Sequence, residues 1–200
     1  MIQHTVGILS RPIQEWGNIA KLPDRSFQKL VLYPCVLAII PAVAWFYGTT
    51  RVGWTVGDHG ETIKLTIESA RIICFLFYVA MVASVIAIGY FIHWMSDTYG
   101  ADSTFTKGIV IAGLTATPMF IAGAVGFYPL LWLDLLIGVA AISWSVYLMY
   151  VGIPIVMDIP EERGFLFSSA VLGVALVILI CLMVGSVILW DLGAGPAFTD

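Results

Sequence analysis

The sequence predicts an all-α integral membrane bundle of five transmembrane helices, preceded by an N-terminal amphipathic helix at the membrane interface. First, only 11% of the 200 residues are charged and 60% are hydrophobic, with a mean hydropathy of +0.97, whereas soluble domains carry about 25% charged residues. Second, five apolar stretches are each long enough to cross about 30 Å of hydrocarbon at about 1.5 Å per residue. Third, polar or turn-forming segments separate these stretches.

The N-terminal segment, residues 1–29, is predicted to be cytoplasmic and to hold one short amphipathic helix over residues 10–22. Ser10 is suited to cap this helix, and Pro12 fits its first turn. At helical spacing one face carries Ile13, Trp16, Ile19 and Ala20. This pattern favours a helix in the plane of the interface with Trp16 towards lipid. The alternative is a cap that packs on the bundle.

The membrane domain is predicted over residues 30–190, and residues 191–200 form a short external tail. The predicted spans are Leu30–Tyr47, Glu68–Met95, Lys107–Val125, Leu130–Val151 and Phe165–Trp190. Pro34 and Pro41 in the first span and Pro118 in the third each remove a backbone hydrogen bond, so these helices should bend. Gly152 and Pro154 are expected to end the fourth helix. The segment between the first two spans is predicted to be a polar loop.

Basic residues predict the orientation of the bundle, because five spans place the two termini on opposite sides of the membrane. The N-terminal side carries six of them: Arg11, Lys21, Arg25, Lys29, Lys107 and Arg163. The opposite side carries three: Arg51, Lys64 and Arg71. Because cytoplasmic loops are enriched in Lys and Arg, this distribution predicts a cytoplasmic N-terminus and an external C-terminus.

Two ionisable residues are predicted to lie inside the bilayer, where a charge is costly and therefore marks a candidate functional site. Arg71 in the second span and Asp134 in the fourth lie at a similar depth from the outer side. We expect them to pair or to line an outer vestibule together. The alternative is a salt bridge that only fixes helix packing.

A second candidate site lies at the inner end of the second span. His93 and Asp97 are four residues apart and so share a helix face, a spacing that suits a divalent metal or a proton relay. Four further acidic residues on that side would complete an acidic mouth: Asp102, Asp158, Glu161 and Glu162. The alternative is a solvated helix end. A weaker external metal cluster would comprise Asp58, His59, Glu61 and Glu68.

Three sequence motifs carry a resemblance to a known family. They are YLMYVGIPIVMDIPEE (Tyr147–Glu162), RPIQEWGNI (Arg11–Ile19) and TATPMFI (Thr115–Ile121). Together they resemble the bacterial inner-membrane branch of the Yip family, the Ypt/Rab-interacting proteins. The resemblance implies a five-helix domain in the inner membrane with a cytoplasmic N-terminus and a periplasmic C-terminus. Eukaryotic members are associated with Rab GTPases and have a long N-terminal region, which is not expected here because only 29 residues precede the first predicted span.

Two functional classes follow from these observations. The first is a non-catalytic Yip-type protein that organises other proteins or membrane shape in the lipid bilayer, as a homo-oligomer. The second is a small-solute or divalent cation transporter or channel that uses Asp134, Arg71, His93 and Asp97. A water-accessible cavity lined by these residues would favour transport, and a packed interior with a large apolar lateral face would favour the first class. The sequence contains no catalytic motif, so an enzyme is not expected, and neither is a cofactor. Nucleic-acid binding is not expected either, because the net charge is −4 and basic residues form no patch.

Overall fold

The computed structural model describes residues 2–56 and 61–199, which form ten α-helices and one short β-hairpin. The helices are α1 (Ile2–Ser10), α2 (Pro12–Ala20), α3 (Asp24–Leu30), α4 (Tyr33–Leu37), α5 (Ile39–Tyr47), α6 (Ile67–Ser96), α7 (Phe105–Thr115), α8 (Thr117–Ala122), α9 (Leu131–Met157) and α10 (Glu161–Leu189). Short 3-10 or π-helical turns follow several of them: Gly48–Val52, Asp97–Tyr99, Gly123–Phe127 and Trp190–Ala194.

Within these described residues the predicted membrane bundle is confirmed. Four helical stretches are long and apolar enough to cross a bilayer: Ser26–Val52, Ile67–Tyr99, Leu131–Met157 and Glu161–Ala194. The pair of α7 and the stretch Thr117–Phe127, which is bent by 42° relative to α7, passes the same test when it is counted as one span. We number them spans 1 to 5 in chain order, so that this bent pair is span 3.

The N-terminal helices α1 and α2 pack on each other, and α2 packs along α9. Trp16 and Ile19 on α2 are fully buried, whereas Ile13 is 63% exposed. The expectation that Trp16 faces lipid is therefore wrong, and the alternative of a cap packed on the bundle describes its position. Ser10 does not cap α2 either, because its hydroxyl donates to the carbonyl of Val6 in α1.

Prolines begin new helical segments in spans 1 and 3. Pro34 lies in the first turn of α4, Pro41 is the third residue of α5, and Pro118 lies in the first turn of α8. The missing N–H of proline does no harm in a first turn, where intrahelical acceptors are lacking anyway. The predicted disruption is confirmed, and it takes the form of breaks between short helices.

Span 4 contradicts the prediction that Gly152 and Pro154 end its helix. The helix α9 continues through both residues to Met157. It ends where Asp158 adopts a left-handed conformation, with φ 53° and ψ 47°, and its amide donates to the carbonyl of Pro154. Asp tolerates this conformation better than most residues. Packing explains why the helix persists, because Gly152 lies under Trp16 and Pro154 lies against Gly164 of α10.

The predicted loop between spans 1 and 2 contains two short strands. Its strands β1 (Trp54–Val56) and β2 (Glu61–Ile63) pair in antiparallel register. The C-terminal tail joins this hairpin, because the amide of Thr199 donates to the carbonyl of Lys64 at 2.9 Å. The amide of Thr66 likewise donates to the carbonyl of Ala197 at 2.8 Å. The loop and the tail therefore lie on the same side of the bundle. This agrees with the topology, because the four spans 2 to 5 lie between them in the chain.

Candidate functional site

The breaks in spans 1 and 3 allow these two spans to touch backbone to backbone. A Cβ atom on Gly48 would overlap the carbonyl oxygen of Gly126, and one on Gly123 would overlap the ring of Pro41. Only glycine permits such a close approach of two helices. The contact fixes the position of α5 against the 3-10 turn that ends span 3.

A cavity of about 150 Å³ opens beside this contact, between α5, the second half of span 3 and α9. We call it the Asp134 cavity. It is lined by Trp45, Met119, Ala122, Gly123, Val125, Gly126, Asp134, Gly138 and Ala141. Asp134 is the fourth residue of α9, and its Oδ1 atom is buried without a hydrogen-bond partner among the residues that the structure describes. An unpaired buried carboxylate oxygen is costly, so this group needs an explanation.

A buried polar junction lies between the same two broken spans. The Tyr33 hydroxyl on α4 is 2.9 Å from the Thr117 hydroxyl on α8 and 3.0 Å from the Thr5 hydroxyl on α1. Tyr33 is 3% exposed and Thr117 is fully buried. Sequence reasoning missed this junction. A usable signal was present, since Tyr33 and Thr117 each directly precede a proline inside an apolar span.

The structure does not bring Arg71 and Asp134 together as an ion pair. Arg71 is exposed on α6 and does not line the Asp134 cavity. In the part of the chain that the structure describes, the one salt bridge joins His4 Nδ1 of α1 to Glu15 Oε1 of α2 at 2.5 Å. This pair links the two N-terminal helices and lies outside both candidate sites.

The inner pair, His93 and Asp97, sits where span 2 ends. His93 is half-buried and its Nδ1 atom has no hydrogen-bond partner within residues 2–56 and 61–199, whereas Asp97 is exposed at the C-cap of α6. Across residues 2–56 and 61–199, no group of three His, Cys, Asp or Glu side chains could hold a metal ion. The metal hypothesis at this end is thus left with two candidate ligands, and it stays a prediction.

The remaining acidic candidates are placed at the ends of spans. Asp158, Glu161 and Glu162 are all exposed at the turn between α9 and α10, and the two glutamates lie in the first turn of α10. Carboxylates are favourable there because of the helix dipole, so this turn needs no ligand to be stable. Of the external cluster, Asp58 and His59 lie outside the described residues, and Glu68 is exposed at the start of α6.

Comparison with known proteins shows the family of this chain. The Yip1 domain family matches the chain over residues 6–182. The chain belongs to the Yip1 domain family. The match begins within α1 and ends within α10, so this Yip1 domain contains the N-terminal helices, both broken spans and the Asp134 cavity.

Two curated relatives of this Yip1-domain protein are the inner membrane protein YohC of Escherichia coli strain K12 and that of strain CFT073. Each is 35% identical over 192 residues, which cover 96% of this chain and 98% of the relative. No solved structure matches the chain. The resemblance drawn from the three sequence motifs is therefore confirmed at the level of the family.

Proposed function

We propose that this Yip1-domain protein is a non-catalytic, multi-pass protein of the bacterial inner membrane that organises other proteins or membrane shape as a homo-oligomer. The proposal rests on the solvent exposure of side chains in the outer half of α10. Residues 179–184 are exposed at every position. A helix packed on one side would bury every third or fourth residue, so this stretch contacts the bundle on no side.

The outer half of α9 adds to this lateral surface. Four of its large apolar side chains are 61% to 74% exposed: Leu131, Leu135, Leu136 and Val139. On α10, no atom of the described residues lies within 4 Å of the position that a Cβ would take on Gly173 or Gly185. Glycines without a packing role inside one chain are suited to close contact between helices of two chains. By contrast, the inner half of the bundle is packed around Leu148, Ile153 and Phe167, all of which are fully buried.

The natural cysteine Cys181 provides a direct test, because it is exposed within the unpacked stretch of α10. If two copies meet along α10, oxidation with copper phenanthroline in native membranes should give a disulfide-linked dimer. The variant Cys181→Ser should lose this dimer, and Cys74→Ser should keep it because Cys74 is buried within its own chain. The measurement is non-reducing electrophoresis at several expression levels.

A dimer that persists in Cys181→Ser would contradict contact along α10. A monomer at all protein concentrations, measured by light scattering in detergent and by cross-linking in membranes, would overturn the homo-oligomer itself.

The inner-membrane location and the orientation are part of the same proposal. YohC is named as an inner membrane protein, and six of nine basic residues lie before span 1 or in the first turn of spans 1, 3 and 5, on the same side of the bundle. We place residues 1–29 in the cytoplasm and residues 191–200 in the periplasm, with the five-span domain, residues 30–190, between them.

Reporter fusions test this orientation. Alkaline phosphatase fused after Asp200 should be active because it would lie in the periplasm, and green fluorescent protein fused at the same position should not fluoresce. The reverse pair of results would contradict this orientation.

A small-solute or cation transport function is the second candidate, and the Asp134 cavity is the observation that favours it. Of the residues expected to share this function, Arg71, His93 and Asp97 do not line that cavity. Flux of a cation into proteoliposomes should then depend on Asp134 and not on His93 or Asp97. Flux equal to that of empty liposomes would remove this candidate.

A further inference from the structure

We propose that the Asp134 cavity binds a small organic ammonium ion, held by the carboxylate of Asp134 and the indole ring of Trp45. The proposal concerns this cavity alone and does not depend on the oligomer proposed above. It explains the feature of the cavity that the fold leaves unexplained, namely a buried carboxylate oxygen to which no described residue donates a hydrogen bond.

The lining of the cavity favours positive charge. It contains one carboxylate and no lysine, arginine or histidine. Asp134 lies in the first turn of α9, the end of the helix at which the helix dipole favours negative charge. The carbonyl groups at the C-terminal end of span 3, in the 3-10 turn, contribute partial negative charge from the opposite wall.

Trp45 adds an electron-rich aromatic wall. Its indole packs on Gly126, where a Cβ atom would lie 2.7 to 2.9 Å from three ring atoms. The absence of a side chain at Gly126 thus fixes the ring at the edge of the cavity. Tryptophan is the aromatic residue that attracts organic cations most strongly, and it does so best where water is excluded.

The size of the Asp134 cavity and the few oxygen atoms in its lining favour an organic cation over a metal ion. A cavity of about 150 Å³ is large enough for a molecule of the size of benzene, and this one measures about 150 Å³. Calcium takes six to eight oxygen ligands and magnesium about six in near-octahedral geometry. The lining offers one carboxylate among apolar side chains. An alkylammonium ion needs fewer oxygen ligands and gains from contact with the aromatic wall.

Two sources could supply this ammonium group. Asp134 lies three residues after the start of α9, or about 5 Å along the helix axis, so it is close to the rim of the bundle. A dissolved amine could enter from the aqueous side, and the amine of a phosphatidylethanolamine headgroup could enter from the membrane. The chemistry of recognition is the same for both, and the experiment separates them.

Two variants change the cavity in different ways. Asp134→Asn keeps the size of the side chain and removes its charge. Gly138→Val fills the cavity, because Gly138 lines it and has no atom within 4 Å of the position of a Cβ. The matched controls are Asp191→Asn, which removes an exposed carboxylate from the same end of the bundle, and Gly17→Val, which changes an equally open glycine on α2.

The first measurement is calorimetric titration of ethanolammonium chloride into the protein in phosphatidylglycerol nanodiscs, with sodium chloride as the blank. The second is native mass spectrometry of protein from nanodiscs that also contain phosphatidylethanolamine. We expect saturable binding in at least one of the two, weakened about 10-fold to 100-fold by Asp134→Asn, which is the usual effect of losing one charged hydrogen bond. Gly138→Val should weaken it at least as much, and both controls should stay within about twofold of wild type.

Binding of ethanolammonium in the calorimetric titration identifies a dissolved amine as the ligand. If only native mass spectrometry is positive, with phosphatidylethanolamine retained on the protein, the ligand is the lipid headgroup. Either result supports the site, provided that it depends on Asp134. If neither measurement shows binding that Asp134→Asn weakens, the proposal is overturned. The Cys181 cross-link tests the oligomer separately, so failure of one proposal leaves the result for the other intact.

Discussion

Replacing Trp16 by alanine should destabilise the folded protein by about 3 to 5 kcal/mol, the cost of removing a large aromatic side chain from a packed core. The reason is its position, since Trp16 is fully buried and its ring lies over Gly152 of α9. Without the indole, α2 would lose its main contact with span 4. Thermal unfolding in detergent, followed by size-exclusion chromatography with fluorescence detection, measures the loss.

Trp16→Phe is the matched control. The Trp16 Nε1 atom is buried and makes no hydrogen bond to any residue that the structure describes. Phenylalanine should therefore retain most of the stability, since it keeps an aromatic ring and leaves no partner without its hydrogen bond. If Trp16→Ala cost less than about 1 kcal/mol, Trp16 would lie in the lipid interface after all and α2 would not pack on α9.

Replacing Gly108 by alanine should have an effect of similar size for the opposite reason. A Cβ atom on Gly108 of α7 would overlap the backbone carbonyl oxygen of Gly89 on α6. Because the neighbour is backbone, no change of side-chain rotamer can make room, and the two spans must move apart. We expect a loss of about 3 kcal/mol or more, at the upper end for overpacked cores, measured by the same unfolding assay.

Gly185→Ala provides the comparison on α10, where the position of the Cβ is open. Alanine is the better helix former by about 1 kcal/mol, so this variant should be as stable as wild type or slightly more stable in detergent. Equal stability of Gly108→Ala and Gly185→Ala would show that α6 and α7 are not in contact at Gly89.

The spans were predictable because the bilayer imposes one requirement on all of them. A backbone in hydrocarbon must satisfy its hydrogen bonds internally, so a long apolar stretch has few conformations open to it other than a helix. The prolines also carried local information, since each predicted a disruption near its own position. Pro154 was the exception, because helices of membrane proteins tolerate proline where neighbouring groups compensate.

Of the residues that line the candidate site, the sequence predicted only Asp134. Asp134 stood out because a carboxylate is costly in lipid. Its neighbours Trp45 and Gly126 come from two other spans, and no spacing along the chain relates them to Asp134, whereas Gly138 lies one helical turn after Asp134 on α9. The expected partner Arg71 was chosen by depth alone, and depth does not specify which way a helix face points. For the same reason the sequence could place Trp16 on an apolar face but not decide between lipid and protein as its surroundings.

By itself, the sequence determined that the chain is a helical membrane protein, where its spans lie and which charges fall within them, because these depend on the transfer of residues from water to lipid. The tertiary structure alone decided the packing of α2 on α9, the close contact of spans 1 and 3 through glycine, and the cavity in which the Asp134 Oδ1 atom has no hydrogen-bond partner among the described residues. Within lipid, apolar side chains gain little from facing protein instead of hydrocarbon. Close steric fit between helices therefore selects the arrangement, and fit is a property of several spans together.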